Sequence, residues 1–174
     1  AYAEKWGYIW GGTGQIHTQK AQDNATRAQT KQYGQKWVGR RVADCSGLFY
    51  WAYKQLGGYM YHGSNTMWNK YSKAKGKLQN GRRTDGQALK PGSAVFLVKG
   101  NDRHHVGLYV GEGKVIEAKG TAYGVVQSNI SRWDEWAELI NTDYDASGEK
   151  TDTGSTVIPS TSADDATGDE VYTM

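Results

Sequence analysis

Apolar residues recur with helical spacing in one stretch of the first half of the chain. Starting from Cys45, this apolar face comprises Leu48, Phe49, Ala52, Tyr53 and Leu56. Asp44, directly before the stretch, is a typical N-cap residue, and Gly57 and Gly58 directly after it can end a helix. The pattern therefore predicts a helix that begins at Cys45 and ends near Leu56.

Short apolar runs separated by glycine turns characterise the second half of the chain. They predict strands at residues 94–98, 104–110, 114–118 and 123–127. Because tight glycine turns join successive runs, we expect an antiparallel meander. Ser131 and Asp134 form a capping pattern, which predicts a last helix through Leu139.

Three further stretches have less regular patterns. Residues 15–33 predict a solvated helix that contains His17 as a surface residue. A run of basic residues between Lys70 and Arg83 predicts a solvated loop, or a patch for an anionic polymer. The glycines of residues 6–14 predict a backbone path that passes close to another part of the chain.

A chain of 174 residues is long enough for one domain with its own core. From residue 146 the aromatic residues give way to Ser, Thr, Asp and Gly, which predicts a domain over residues 1–145 and a disordered linker over 146–174. The final residues, 171–174, fit the start of a further module. The N-terminal residues show no signal pattern, so we expect any export signal outside this chain.

Composition narrows the function classes. Seven Trp and twelve Tyr against two Phe suggest amphipathic rings that line a wet groove as well as a core. A net charge of +3 does not indicate a nucleic-acid binder, and no apolar run approaches the length of a membrane span. Four scattered His and one Cys supply no ligand spacing for zinc, so no metal or other cofactor is predicted.

Cys45 and His105 are the candidates for nucleophilic chemistry. A cysteine in the first turn of a helix meets free backbone N–H groups and the positive dipole end, which favour a thiolate. The alternative is a buried cysteine that packs as a small hydrophobe. We expect the fold to bring Cys45 and His105 together in an open cleft. Glu117, in an apolar run, either orients the His105 imidazole or points to solvent.

Four motifs occur in the order that is typical of one family. They are Tyr8-Ile9-Trp10-Gly11-Gly12, Asp44-Cys45-Ser46-Gly47-Leu48, Pro91-Gly92-Ser93-Ala94-Val95-Phe96 and His105-Val106-Gly107-Leu108-Tyr109-Val110-Gly111. With the blocks at 115–118 and 123–126, they make residues 6–140 resemble the NlpC/P60 family of cell-wall cysteine peptidases. The resemblance implies an α+β fold with a papain-like core, in which N-terminal helices pack on a small antiparallel sheet and the cysteine begins a helix.

The resemblance also implies roles for individual residues. Cys45 is then the nucleophile and His105 the general base. The residues implied to line the substrate site are Tyr8, Trp10, Asp44 and Ser46. Two features depart from the family pattern: Glu117 stands where the family usually has His, Asn or Gln, and the stretch 13–43 is longer than usual.

The implied activity is that of a peptidoglycan hydrolase. It cleaves an amide of the stem peptide through an acyl-enzyme, and the resemblance favours the bond between D-glutamate and the diamino acid. The alternatives are an N-acetylmuramoyl-L-alanine amidase, a cross-bridge peptidase, an acyl transferase and an inactive wall-binding module. Peptidoglycan stem peptides are the expected partner of a monomer that is secreted, associated with the cell wall or carried by a phage, without nucleic acid or membrane insertion.

Overall fold

The computed structural model describes residues 1–144. The predicted linker over 146–174 and its boundary with the domain lie outside the described residues. The helices within 1–144 are α1 (Gln19–Asp23), α2 (Ala28–Tyr33), α3 (Cys45–Gln55) and α4 (Ser64–Lys70). Single 3₁₀ turns occur at Gly34–Trp37 and Ile130–Arg132.

The strands of the described residues form two antiparallel sheets. They are β1 (Thr13–Ile16), β2 (Arg41–Ala43), β3 (Ser72–Gln79), β4 (Arg82–Arg83), β5 (Ala94–Lys99), β6 (Asp102–Gly111), β7 (Lys114–Gly120), β8 (Gly124–Asn129) and β9 (Glu135–Leu139). β1 pairs with β2, and the other seven form one sheet in the order β4-β3-β9-β5-β6-β7-β8. α3 packs on β6 and β7, and α4 on β6 and β3. This arrangement confirms the predicted α+β class.

The predicted meander is also confirmed, since β5 pairs with β6, β6 with β7 and β7 with β8. In the β6–β7 register, Leu108 lies opposite Ile116 and Tyr109 opposite Val115. Side chains alternate between the two faces of a strand. Glu117 therefore lies diagonally across from His105, on the same face of the sheet.

The predicted helix from Ser131 to Leu139 is wrong. A single 3₁₀ turn occupies Ile130–Arg132, and residues 135–139 form β9, which lies inside the sheet between β3 and β5. All five β9 residues are buried, so burial against two neighbouring strands overrides the local helical pattern. Asp134 does not cap a helix but accepts the backbone N–H of Val98.

Both polar stretches also differ from their predictions. The basic run forms β3 and β4 rather than a loop, because β3 pairs with β4 on one side and β9 on the other. Residues 15–33, predicted to be one solvated helix, contain two short helices, α1 and α2. His17 is buried rather than at the surface, and its Nε2 lies 2.9 Å from Oε1 of Gln22. Buried polar side chains pair with each other in this way, which sequence periodicity does not reveal.

Helix α3 begins as predicted. Oδ1 of Asp44 accepts the backbone N–H of Gly47 at 2.7 Å, which satisfies one of the unpaired donors of the first turn. The helix ends at Gln55, where Leu56 is the C-cap residue. Leu56 is 87 % exposed, so the buried face of α3 is shorter than the periodicity predicts.

The first turn of α3 lies directly against the loop that contains Gly12. The backbone N–H of Asp44 donates to the carbonyl oxygen of Gly12 at 2.9 Å. A Cβ atom at Gly47 would lie only 1.8 Å from that same oxygen. The close backbone path predicted for residues 6–14 is thereby confirmed, and it determines the position of Cys45.

We expect Gly47→Ala to destabilise the fold by about 1–3 kcal/mol, since overpacking against backbone cannot be relieved by a rotamer change. This exceeds the roughly 1 kcal/mol that Ala gains over Gly in a helix. Thermal melting should show a Tm lower by several degrees. Gly58→Ala is the matched control, because its added Cβ would meet atoms only at 3.5 Å. An unchanged Tm for Gly47→Ala would contradict this close approach.

Candidate active site

Cys45 is the first residue of α3, and only 2 % of its surface is exposed. It belongs to a buried cluster that includes Phe96 and Val106. Backbone N–H groups of Val106, Ser46 and Cys45 itself lie within hydrogen-bond reach of the sulfur. Because Val106 follows His105 in β6, the thiol lies beside the strand that carries this histidine. The sulfur is buried, however, rather than in the open cleft that we expect from the sequence.

Burial determines the protonation state of the thiol. It raises the pKa of Cys45 far above its ordinary value, and the negative charge of Asp44 raises it further, against the three backbone N–H groups. Full burial can raise a pKa by about 3 to 5, equivalent to about 4–7 kcal/mol. A helix dipole supplies only about 0.3–1 kcal/mol. The resting cysteine is therefore a neutral thiol, not the thiolate that its helical position alone favours.

His105 is buried and held on two sides. Its Nε2 lies 2.5 Å from Oε2 of Glu117, and its ring stacks on Trp133 with centroids 5.4 Å apart and planes 21° apart. Burial lowers the pKa of His105, opposed by the hydrogen bond and charge of Glu117. With Nε2–H donating to the carboxylate, Nδ1 is the ring nitrogen that can accept a proton from a thiol.

Glu117 is completely buried, so the alternative in which it points to solvent is wrong. Arg132 Nη2 donates to both of its oxygens, at 2.7 Å and 2.6 Å. Burial raises the pKa of Glu117, but hydrogen bonding and charge from His105, the charge of Arg132 and the hydroxyl of Ser128 lower it to about 2. Glu117 is therefore an ionised carboxylate that accepts hydrogen bonds from both partners.

Asp44 is also buried and bonded through both oxygens. Oδ1 accepts from Gly47 N and lies 2.7 Å from Nε2 of His62, and Oδ2 accepts the backbone N–H of Gly11 at 2.7 Å. These bonds join the Gly11 loop, the start of α3 and the loop after α3. In the free protein, Asp44 therefore organises the surroundings of the cysteine.

The other residues expected to line a substrate site differ in accessibility. Tyr8 and Ser46 are buried, whereas Trp10 is 36 % exposed. The guanidinium of Arg27 lies 4.5 Å from the Trp10 ring centroid. Arg27 belongs to the long stretch 13–43, so this stretch reaches one of the expected substrate residues. Contact of these side chains with substrate stays a prediction.

Comparison with known proteins identifies the family. The sequence profile of the NlpC/P60 family matches residues 5–141, which is most of the chain. The chain belongs to the NlpC/P60 family. The resemblance inferred from the ordered motifs is thus confirmed. A search of curated protein sequences finds no match.

Solved structures share this fold. The NlpC/P60 domain of the peptidoglycan hydrolase SagA is 16 % identical over 78 % of this chain and 88 % of that chain, with a TM-score of 0.50. Peptidoglycan hydrolase RipB from Mycobacterium tuberculosis is 24 % identical over 62 % of this chain and 50 % of that chain (TM-score 0.44). The P60 domain of an antigen from M. avium subspecies paratuberculosis is 21 % identical over 76 % of this chain and 85 % of that chain (TM-score 0.47). This chain spans half the length of the RipB chain, and the SagA likeness shows the fold alone.

Three residues of this NlpC/P60 site carry no sequence motif: His62, Arg132 and Trp133. His62 reaches Asp44 from the loop after α3, while Arg132 and Trp133 follow one another beside Glu117 and His105. A single signal points to Arg132, namely that a buried carboxylate at Glu117 requires a positively charged partner. Sequence spacing does not show which residue supplies that charge.

Neither a cluster of metal-binding side chains nor a membrane-spanning helix is found within residues 1–144. No group of three or more His, Cys, Asp or Glu side chains in that range is arranged to hold a metal ion. None of the described helices is both long enough and apolar enough to span a membrane.

Alkylation by iodoacetamide tests the neutral thiol, because the thiolate is the reactive form. We expect Cys45 in the folded protein at pH 7.5 to react at least tenfold more slowly than in the urea-unfolded chain. The rate should still be rising with pH above about 9, since burial raises the pKa of Cys45. Steric cover alone would slow the reaction at every pH without moving that profile. A rate that levels off below pH 8 would contradict the neutral thiol.

Proposed function

We propose that this chain is a peptidoglycan hydrolase that cleaves a stem-peptide amide through an acyl-enzyme on Cys45. The observation that carries the proposal is the hydrogen bond between His105 and Glu117. His105 lies on β6, and the next residue of that strand, Val106, has its backbone N–H within hydrogen-bond reach of the Cys45 sulfur. A nucleophile, a base and a group that orients the base are the components that acyl transfer requires. Membership of the NlpC/P60 family supports peptidoglycan as the substrate.

The reaction begins with a neutral pair. As the sulfur attacks the carbonyl carbon, the thiol proton passes to Nδ1 of His105, and Glu117 stabilises the imidazolium that forms. The backbone N–H of Cys45, at the start of α3, is a donor for the oxyanion. Nδ1 then gives its proton to the leaving amine, and the C–N bond breaks. Water attacks the thioester with His105 again as base, which releases the carboxylate and restores the thiol.

The buried sulfur imposes a condition on substrate entry. Only 2 % of Cys45 is exposed, so a stem peptide must displace some of the protein side chains that cover the thiol before its carbonyl can reach it. If these side chains close around the bound peptide, they would exclude water from the acyl-enzyme until the amine has left. Trp10, partly exposed and covered by Arg27, is the side chain that we assign to first contact with substrate.

Within this proposal, the bond between D-glutamate and the diamino acid is the cleavage site. The location that suits this substrate is the cell wall, for a secreted protein or a phage-borne lysin that acts as a monomer. Neither nucleic acid nor membrane insertion has a part in the reaction. An amidase, a cross-bridge peptidase, an acyl transferase and a wall-binding module are the outcomes that the experiment must distinguish.

We expect Cys45→Ala to lower wall lysis by about 10³-fold or more while wall binding is retained, since the substitution removes only the nucleophile. Turbidity of purified walls measures lysis, and co-sedimentation measures binding. His105→Ala should be equally inactive. His104→Ala is the matched control, because His104 faces the opposite side of β6 and should keep lysis near the parent level.

Mass spectrometry of digested muropeptides identifies the bond. A new amino terminus on the diamino acid supports the proposed endopeptidase, and a freed L-alanine amine indicates an amidase. A newly acylated amine indicates transfer rather than hydrolysis. Unchanged lysis in Cys45→Ala would contradict an acyl-enzyme on Cys45. No lysis by the parent would contradict the enzyme and leave a wall-binding module.

A further inference from the structure

The ion pair between Glu117 and Arg132 has no part in the mechanism described so far. Glu117 is fully buried, yet it faces two groups that can carry positive charge, His105 and Arg132. The Arg132 side chain is 40 % exposed, so its charge is partly solvated while that of Glu117 is not. The ion pair thus joins the buried site to the protein surface.

A lone buried carboxylate beside a histidine raises the pKa of that histidine. An opposite charge a few ångströms away raises the pKa of a histidine by about 1–3, so Glu117 alone would favour the imidazolium. A base that is already protonated cannot accept the thiol proton. Arg132 acts in the opposite direction, because its charge lowers the pKa of His105. The negative charge of Glu117 and the positive charge of Arg132 sum to about zero, so the pair resembles the uncharged amide of Asn or Gln.

The geometry around Arg132 is determined by its neighbours. Arg132 ends the 3₁₀ turn at Ile130–Arg132, and the next residue, Trp133, stacks on His105. The guanidinium also lies 5.0 Å from the Trp133 ring centroid. The Trp133 ring fits because Gly107 has no side chain: a Cβ there would lie 2.7 Å from the ring. Two consecutive residues therefore hold the histidine and its carboxylate partner.

We propose that Arg132 is a positioning residue that neutralises Glu117, so that the carboxylate orients His105 without holding a proton on it. The role rests on the proposed function, in which His105 is the base. It does not follow from the family pattern, in which a neutral or imidazole side chain usually occupies the position of Glu117.

Other charged or titratable groups lie near His105 besides Glu117 and Arg132. His104, its neighbour on β6, also lowers the pKa of His105. Lys99 and Arg132 lower the pKa of His104, Asp102 and Asp134 raise it, and Asp44 acts on Cys45. The hydrogen-bonded partners of Glu117 are His105 and Arg132. Removal of Arg132 therefore leaves Glu117 bonded to His105 alone among residues 1–144.

The first experiment follows the His105 ring by NMR during a pH titration, in a Cys45→Ala background that needs no activity. We expect Arg132→Gln to raise the midpoint for His105 by about 1 or more, because the carboxylate is no longer compensated. Arg132→Lys keeps the charge and should restore at least half of that shift. Arg82→Gln, an exposed arginine on β4, is the control and should leave the midpoint within about 0.2.

The second experiment is a double-mutant cycle on kcat/KM for wall fragments. Arg132→Gln should shift the acid limb of the pH profile upward, because His105 then stays protonated to a higher pH, and should lower the rate at pH 6.5 several-fold. Adding Glu117→Gln removes the uncompensated charge and should recover most of that loss. Simple loss of structure would not produce such recovery.

The outcomes separate this role from the proposed function. A His105 midpoint unchanged by Arg132→Gln, or a double variant no better than Arg132→Gln on active enzyme, overturns the role of Arg132. A parent enzyme without wall lysis overturns the proposed function, while the titration still decides the role of Arg132. If Arg132→Gln does not fold, the double variant with Glu117→Gln decides it: a midpoint within about 0.5 of the parent supports the role, and a midpoint lower than that overturns it.

Discussion

The buried contact between His105 and Glu117 is the interaction on which the rest of this site depends. A charged carboxylate with no exposed surface is stable only when hydrogen bonds and an opposite charge compensate its lost hydration. His105 and Arg132 supply both. The antiparallel register of β6 and β7 places the histidine and the carboxylate diagonally across one face. The fold of the sheet and the protonation states at its centre are therefore linked.

Burial has a second consequence, at the cysteine. The start of a helix favours negative charge, but by much less than the loss of water disfavours it. A neutral thiol results, and in the proposed mechanism charge separates only when a carbonyl carbon is in place to be attacked. The Asp44 carboxylate strengthens this arrangement, because it stabilises the first turn of α3 while its charge opposes a thiolate. The position of Cys45 and the protonation state of its thiol thus have different physical origins.

Local patterns proved reliable where chain neighbours are also neighbours in space. The α3 helix with its Asp44 cap and the β5–β8 meander follow from short-range spacing and turns. The same patterns failed for β9 and β3, which pair with each other although they are distant in sequence. Residues 135–139 have a helical pattern but are buried on both sides. Pairing with β3 and β5 determines their conformation, and no local window contains that information.

The sequence by itself determined the family, the α+β class and the choice of Cys45, His105 and Glu117 as candidates, because ordered motifs preserve the residue types that a site requires. Only the tertiary structure decided that the sulfur is buried, that Glu117 points inward and that Arg132 bonds to both of its oxygens. Those properties depend on which distant side chains pack around each group and exclude water from it. Desolvation is a property of the surrounding volume, and residues far apart in the chain form that volume.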